Sequence, residues 1–197
     1  MALNYANNQS LSNITSLPAS ITGGALTLLQ TQTASGSSSI SFTSNIDSTY
    51  DKYIFKFYDI HDDGGNTFLV YGSTDGGSSY GVSKTTTYFT SVHTEDDVTA
   101  SLDYNASADL ANSTAGHNIY RGQGANDDDC VAGTYELYAP ADTTFVKHFM
   151  SRMSETSAYA NDIFTAGYFN TTSAINAIKF EPSSGVFDGT IKMYGVS

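Results

Sequence analysis

Lys52-Tyr-Ile-Phe-Lys-Phe-Tyr-Asp-Ile60 (KYIFKFYDI) decides the fold. In an extended chain Tyr53, Phe55 and Phe57 fall on one side, and Lys52, Ile54, Lys56 and Tyr58 fall on the other. A helix would scatter these rings around its circumference. A strand collects them on one face, so one side enters a core. Reading outward, His61–Asn66 (HDDGGN) is a turn, Thr67–Gly72 a strand, and Ser73–Ser79 (STDGGSS) a second turn. Tyr80–Val92 alternates loosely as a further strand. The Asp-Gly and Gly-Gly pairs predict antiparallel hairpins at both turns.

The same pattern runs through the rest of the chain. Ala25–Thr33 and Ser38–Thr43 read as short strands around the loop Ala34–Ser37. Val98–Tyr104 reads as a strand, Asn105–Ser113 as one helical turn, and Arg121–Asp129 as a loop rich in Gly, Asn and Asp. Cys130–Tyr138, Thr144–Met153, Asp162–Asn170, Ala174–Glu181 and Thr190–Val196 complete about ten strands, with no long helical segment. In Thr144–Met153 the apolar positions fit either period, but β-branched and aromatic residues favour a strand. Many short strands separated by turn signals predict an all-β fold. The expected form is an antiparallel two-sheet sandwich wound as a jelly roll. No heptad or solenoid period is present.

Residues 1–22 differ in kind. They are rich in Asn, Ser and Thr, with Leu11, Ile14, Leu17 and Ile21 three or four positions apart. Pro18 and the poor helix formers around it favour an extended arm over an amphipathic helix. The chain is therefore read as an N-terminal arm, 1–22, and a β-sandwich domain, 23–197. The four apolar residues of the arm are candidate contacts to a partner subunit. The alternative is a frayed terminus.

Charge narrows the function classes. Twenty acidic residues stand against eight Lys and Arg, a formal net charge of −12. A nucleic-acid or anionic-membrane surface needs clustered cations, so neither partner is expected. The first twenty residues lack a basic region and an apolar run, so no secretory leader is expected. Cys130 is the only cysteine and cannot form an intrachain disulfide. Tryptophan is absent, but 14 Tyr and 11 Phe keep ring stacking on a sugar open.

Catalytic patterns are missing. His61, His93, His117 and His148 show no metal-ligand spacing, and no G-x-S-x-G elbow occurs. ArgGlyGlnGly at 121–124 is too short to cradle a phosphate. Carboxylates sit side by side at Asp62/Asp63, Asp96/Asp97 and Asp127/Asp128/Asp129. Glycoside hydrolysis needs two carboxylates across a groove, which sequence alone does not place. No cofactor is expected. Calcium is the one metal that oxygen-rich loops would suit, and Asp127, Asp128 and Asp129 are its candidates.

The stretch 177–195 (AIKFEPSSGVFDGTIKMYG) resembles an ending common in structural proteins of tailed bacteriophages, including marine ones. Within it, Ile178 and Phe180 are expected to face Ile191 and Met193 across a hairpin bent at Gly185 and Gly189. The turn at 73–80 and the opening 11–24 (LSNITSLPASITGG) are similar to the same group. This resemblance implies a non-enzymatic virion protein, made in the host cytoplasm and assembled onto the particle. A capsid decoration or cement protein bound to the major shell protein is the first expectation. A tail, neck or head-fibre component with receptor or glycan binding is the alternative, and a free carbohydrate-binding module the second. Open sheet edges predict a homotrimer or other homo-oligomer.

Overall fold

The computed structural model describes residues 26–122 and 126–197. Leu11, Ile14, Leu17 and Ile21, and with them the predicted arm, lie outside the described residues. Twelve strands are described: β1 (Thr27–Ser37), β2 (Ile40–Phe42), β3 (Lys52–Asp62), β4 (Phe68–Ser73), β5 (Lys84–Thr94), β6 (Ala100–Tyr104), β7 (His117–Tyr120), β8 (Val131–Tyr138), β9 (Lys147–Thr156), β10 (Tyr159–Phe169), β11 (Ala177–Pro182) and β12 (Phe187–Val196).

They form two antiparallel sheets. The larger has the order β1-β12-β3-β8-β9-β10-β5-β6, and the smaller β2-β11-β4-β7. Four pairings are nested inside one another along the chain: β4 with β7, β3 with β8, β2 with β11, and β1 with β12. Successive pairs alternate between the sheets. This is the winding of a jelly roll, a long hairpin rolled up so that its neighbours in sequence lie in opposite layers. Two hairpins interrupt the roll. β5–β6 and β9–β10 are inserted in it, and both extend the large sheet beyond β8.

The winding corrects three expectations. HDDGGN and STDGGSS do not close hairpins, because β3, β4 and β5 are not mutual neighbours. The first turn carries the chain from one sheet to the other. The Asp62 carboxylate accepts hydrogen bonds from the backbone N–H of Gly64 and Asn66 (2.9 and 3.3 Å), so a side chain holds the turn instead of a ladder. The 177–195 ending is likewise a crossover: β11 pairs with β2 and β4, β12 with β1 and β3. Ile178, Phe180, Ile191 and Met193 are all buried, but in opposite layers. Finally, 105–113 is not helical. Its backbone runs beside β5, donating Asn105 N–H to Tyr88 O and accepting Thr86 N–H at Leu110 O (2.9 Å each). It closes the edge that the short β6 leaves bare.

The strand first read from sequence lies near the middle of the large sheet. Tyr53, Phe55 and Phe57 are buried, and alternate residues are half-exposed or open. Phe180 of the small sheet meets Phe42, Phe55, Phe57 and Tyr135 edge-on, at centroid distances of 5.1–6.1 Å. Phe68 stacks on Tyr120 at 5.3 Å and meets Phe187 at 4.9 Å. The two sheets are joined by interlocked rings, each burying some 2–3 kcal/mol of apolar surface.

Candidate functional site

Four strands cannot cover both sides of eight. The small sheet lies on one face of the large one, and side-chain alternation leaves the other face open. β9 displays this most cleanly: Lys147, Phe149, Ser151, Met153 and Glu155 are buried, while His148, Met150, Arg152, Ser154 and Thr156 are exposed.

Strand register aligns one residue from each strand into a single line across the open face. Tyr104 lies opposite Phe89, Phe89 opposite Phe164, Phe164 opposite Arg152, and Arg152 opposite Thr134. Thr134 lies opposite Lys56, Lys56 opposite Lys192, and Lys192 opposite Thr31. With strands spaced about 4.8 Å apart, the row runs about 33 Å. Three aromatic rings stand at one end and two lysines near the other. Phe89 and Phe164 are 42% and 40% exposed, and Tyr104 47%. Phe89 and Tyr104 meet edge-on at 5.0 Å.

The cations on this face lie against rings. The Arg152 guanidinium sits 4.6 Å above Phe164 and is gripped by both oxygens of Asp162 (2.7 and 3.0 Å). Lys52 pairs with Glu136 at 3.1 Å and leans on Tyr138. Lys56 reaches diagonally to the Tyr194 ring at 5.3 Å, and Lys192 to the Tyr58 ring at 5.1 Å. Neither Lys56 nor Lys192 forms an ion pair among the described residues. Two like charges directly opposite each other in a ladder are destabilising. Half of the eight basic residues in this acidic chain therefore stand on one sheet face: Lys52, Lys56, Arg152 and Lys192.

Beside the row the face is hollowed. A depression of about 750 Å³ is walled by Thr85, Thr87, Tyr138, His148, Met150 and Tyr168. A second, of about 540 Å³, lies against Ser91, His93, Thr134, Arg152, Ser154 and Asp162.

The interior between the sheets holds a second set of polar groups with a different character. Ser151 Oγ, Thr165 Oγ1 and His117 Nε2 form a chain with links of 2.6 and 2.9 Å. All three residues are buried, and no carboxylate orients the imidazole. Burial, then the nearby Lys84 charge, pushes the His117 pKa down to about 3. That leaves a neutral, sealed imidazole, not a serine-activating one. Glu155 is buried too and accepts from Arg121 N–H, Tyr159 O–H and Asn161 Nδ2 (3.2–3.3 Å). Desolvation pushes its pKa up. Burial draws Lys84 down to about 8, with Val82 O at 3.3 Å as its hydrogen-bond acceptor.

The predicted metal candidates part company. Asp127 and Asp128 point to solvent, whereas Asp129 is buried. Its carboxylate accepts from Asn126 N–H (3.2 Å), Asn126 Nδ2 (3.1 Å) and Ser157 Oγ (3.3 Å), so it ties the loop to the β9–β10 turn. No group of three or more His, Cys, Asp or Glu placed so that it could hold a metal ion is found among the described residues. Of the other acidic pairs, Asp62 is buried against Tyr120 O–H at 2.8 Å, and the Asp96 carboxylate accepts from Thr94 O–H at 2.7 Å.

Sequence reading placed Lys52, Ile54, Lys56 and Tyr58 on a common face but missed their alignment with Arg152 and Phe164. That alignment depends on a register between distant strands. One signal was present, the repeated Lys-x-Tyr at 56–58 and 192–194. Comparison with protein-family models, curated proteins and solved structures found no match, so the site is read from its own geometry.

Proposed function

We propose that this chain is a non-enzymatic structural protein of a tailed-phage particle, placed on the particle surface, whose open sheet face makes its contacts. The observation that carries the reading is the exposed cross-sheet row running from Tyr104 through Phe164 and Arg152 to Lys56 and Lys192. An unpartnered apolar and cationic face on a chain of net charge −12 marks a contact surface. The resemblance of the 177–195 ending supplies the virion setting. A decoration or cement role on the shell is the first form of this proposal. The row favours a second form, an appendage that faces a host surface, because its rings and cations stand on the open side of the sandwich.

Quantitative mass spectrometry of purified particles separates the forms. Copies near the number of major shell subunits support decoration. A few copies per particle support an appendage. Absence from the particles sinks the virion reading altogether.

A further inference from the structure

We infer that the cross-sheet row binds an anionic polysaccharide, lying along the row and perpendicular to the strands. The inference rests on the open face being the contact surface and goes further by naming the ligand chemistry. A polysaccharide of acidic sugars offers two kinds of group in alternation. Its ring C–H faces stack on aromatic side chains, and its carboxylates or sulfates pair with cations.

The row offers the complement of both. Tyr104, Phe89 and Phe164 form a stacking platform at the β6 end, and Lys56 and Lys192 form an anion-binding position at the β12 end. Between them Thr134 is a hydroxyl partner, and Arg152 is held to one geometry by Asp162. The line is continuous because it follows cross-strand pairing, and its length suits an extended polymer more than a single small molecule.

The Lys56–Lys192 juxtaposition is the most telling element. The chain has 20 carboxylate side chains to draw on, yet no ion pair among the described residues reaches either ammonium. Tyr194 and Tyr58 hold the two side chains extended over the face. Two opposed, unneutralised cations cost stability in the free protein, and an incoming anion relieves that cost. A single-stranded nucleic acid also combines rings and charge, but it carries a phosphate at every unit. Two unpaired cations on a chain of net charge −12 do not meet that density.

The test uses the full chain and calorimetric titration with alginate and polygalacturonate oligosaccharides, with neutral dextran and oligo-thymidylate as comparisons. Binding to the polyuronates, weakened by added salt and far weaker with dextran, is expected. The double variant Lys56→Gln/Lys192→Gln should lose roughly tenfold in affinity, the scale of two charge-assisted surface contacts. It should fold at least as stably as the parent, because a like-charge contact is removed. Phe164→Ala should also weaken binding while the thermal transition persists. Polyuronate affinity unchanged in the double variant, no binding to either polyuronate, or equal binding of oligo-thymidylate would each overturn the inference. A face that instead self-associates, with the same lysines required and no glycan bound, also overturns it and assigns the surface to a second copy. Because purified protein is used, the outcome is independent of the copy number that tests the virion setting.

Discussion

At the residue scale, Phe180 ties the two sheets together. It meets four rings contributed by both sheets, so its removal leaves a void that neither sheet can close without shifting. Phe180→Ala should cost about 3–5 kcal/mol in denaturant unfolding, the range for a large ring deleted from a packed core. Lys84 makes the opposite case. Its folded pKa of about 8 lies below the ordinary 10.5, so its favourable contribution is complete above 10.5 and lost as the pH falls through 8. At pH 7 it is a buried charge held by a carbonyl and the Tyr71 and Phe169 rings. Lys84→Met should therefore be more stable, relative to the parent, at pH 7 than at pH 10.5. The difference should be on the order of 1–3 kcal/mol. A flat difference between the two pH values would show that the ammonium is not desolvated. Residue identity was legible where burial was simple: the ring side of 52–60 follows from alternation alone. Buried Lys84, Lys147 and Glu155 were not, because charge in a strand normally marks its solvent side, and only the second layer reverses it.

Elements follow the same division between local and distant information. Most strands were legible, since period-two alternation is set within five or six residues. β7 (His117–Tyr120) was missed because it is four residues long and buried at three of them, which leaves no alternation to see. Connections were misread because an Asp-Gly turn specifies a reversal but not the layer in which the chain resumes. The bulge shared by β3 and β12 is another feature without a sequence signature. Asp59 takes φ +50° and Gly189 φ +127°, and a Cβ on Gly189 would stand 2.7 Å from Asp59 O. Gly189→Ala should destabilise the fold by about 2 kcal/mol or more, both from the backbone angle and from the clash. Asp188, next to it, accepts the Gly36 N–H at 2.8 Å, so β1 should loosen along with it. Hydrogen exchange in the variant should rise first along 33–37 and 58–62; protection unchanged there would place the cost elsewhere.

For the whole molecule, charge is distributed by layer. Four of the eight basic residues share the open face, two are buried, and the acidic excess falls on loops and on the other surfaces. Free copies therefore repel one another through a net charge of −12, while one face of each remains suited to an anion. The two kinds of association should respond to salt with opposite signs. Light scattering of the purified chain should register more self-association as salt screens the repulsion. Polyuronate binding should fall over the same range. A common direction for both would mean that they use the same contacts. The candidate face itself was only half legible in the sequence. Each strand announces which side chains share a face, but the row exists only once eight strands are set in register, and four of its seven pairings join strands that are not consecutive in the chain.

The placement of β12 has a consequence for how the protein is made. Residues 187–196 lie between β1 and β3, so the first part of the large sheet to be synthesised waits for them. A chain still attached to the ribosome short of Phe187 has β1 without its one in-sheet neighbour among the described strands, and β3 open along one side. Closure of this part of the sheet thus waits until residues 187–196 have been made, and it is slow in the manner of folds dominated by sequence-distant contacts. Nascent chains arrested before Phe187 should be digested by a protease at β1 and β3, whereas chains in which residues 187–196 have cleared the ribosome should resist. Until that moment the exposed strand edges are a liability, open to pairing with another chain.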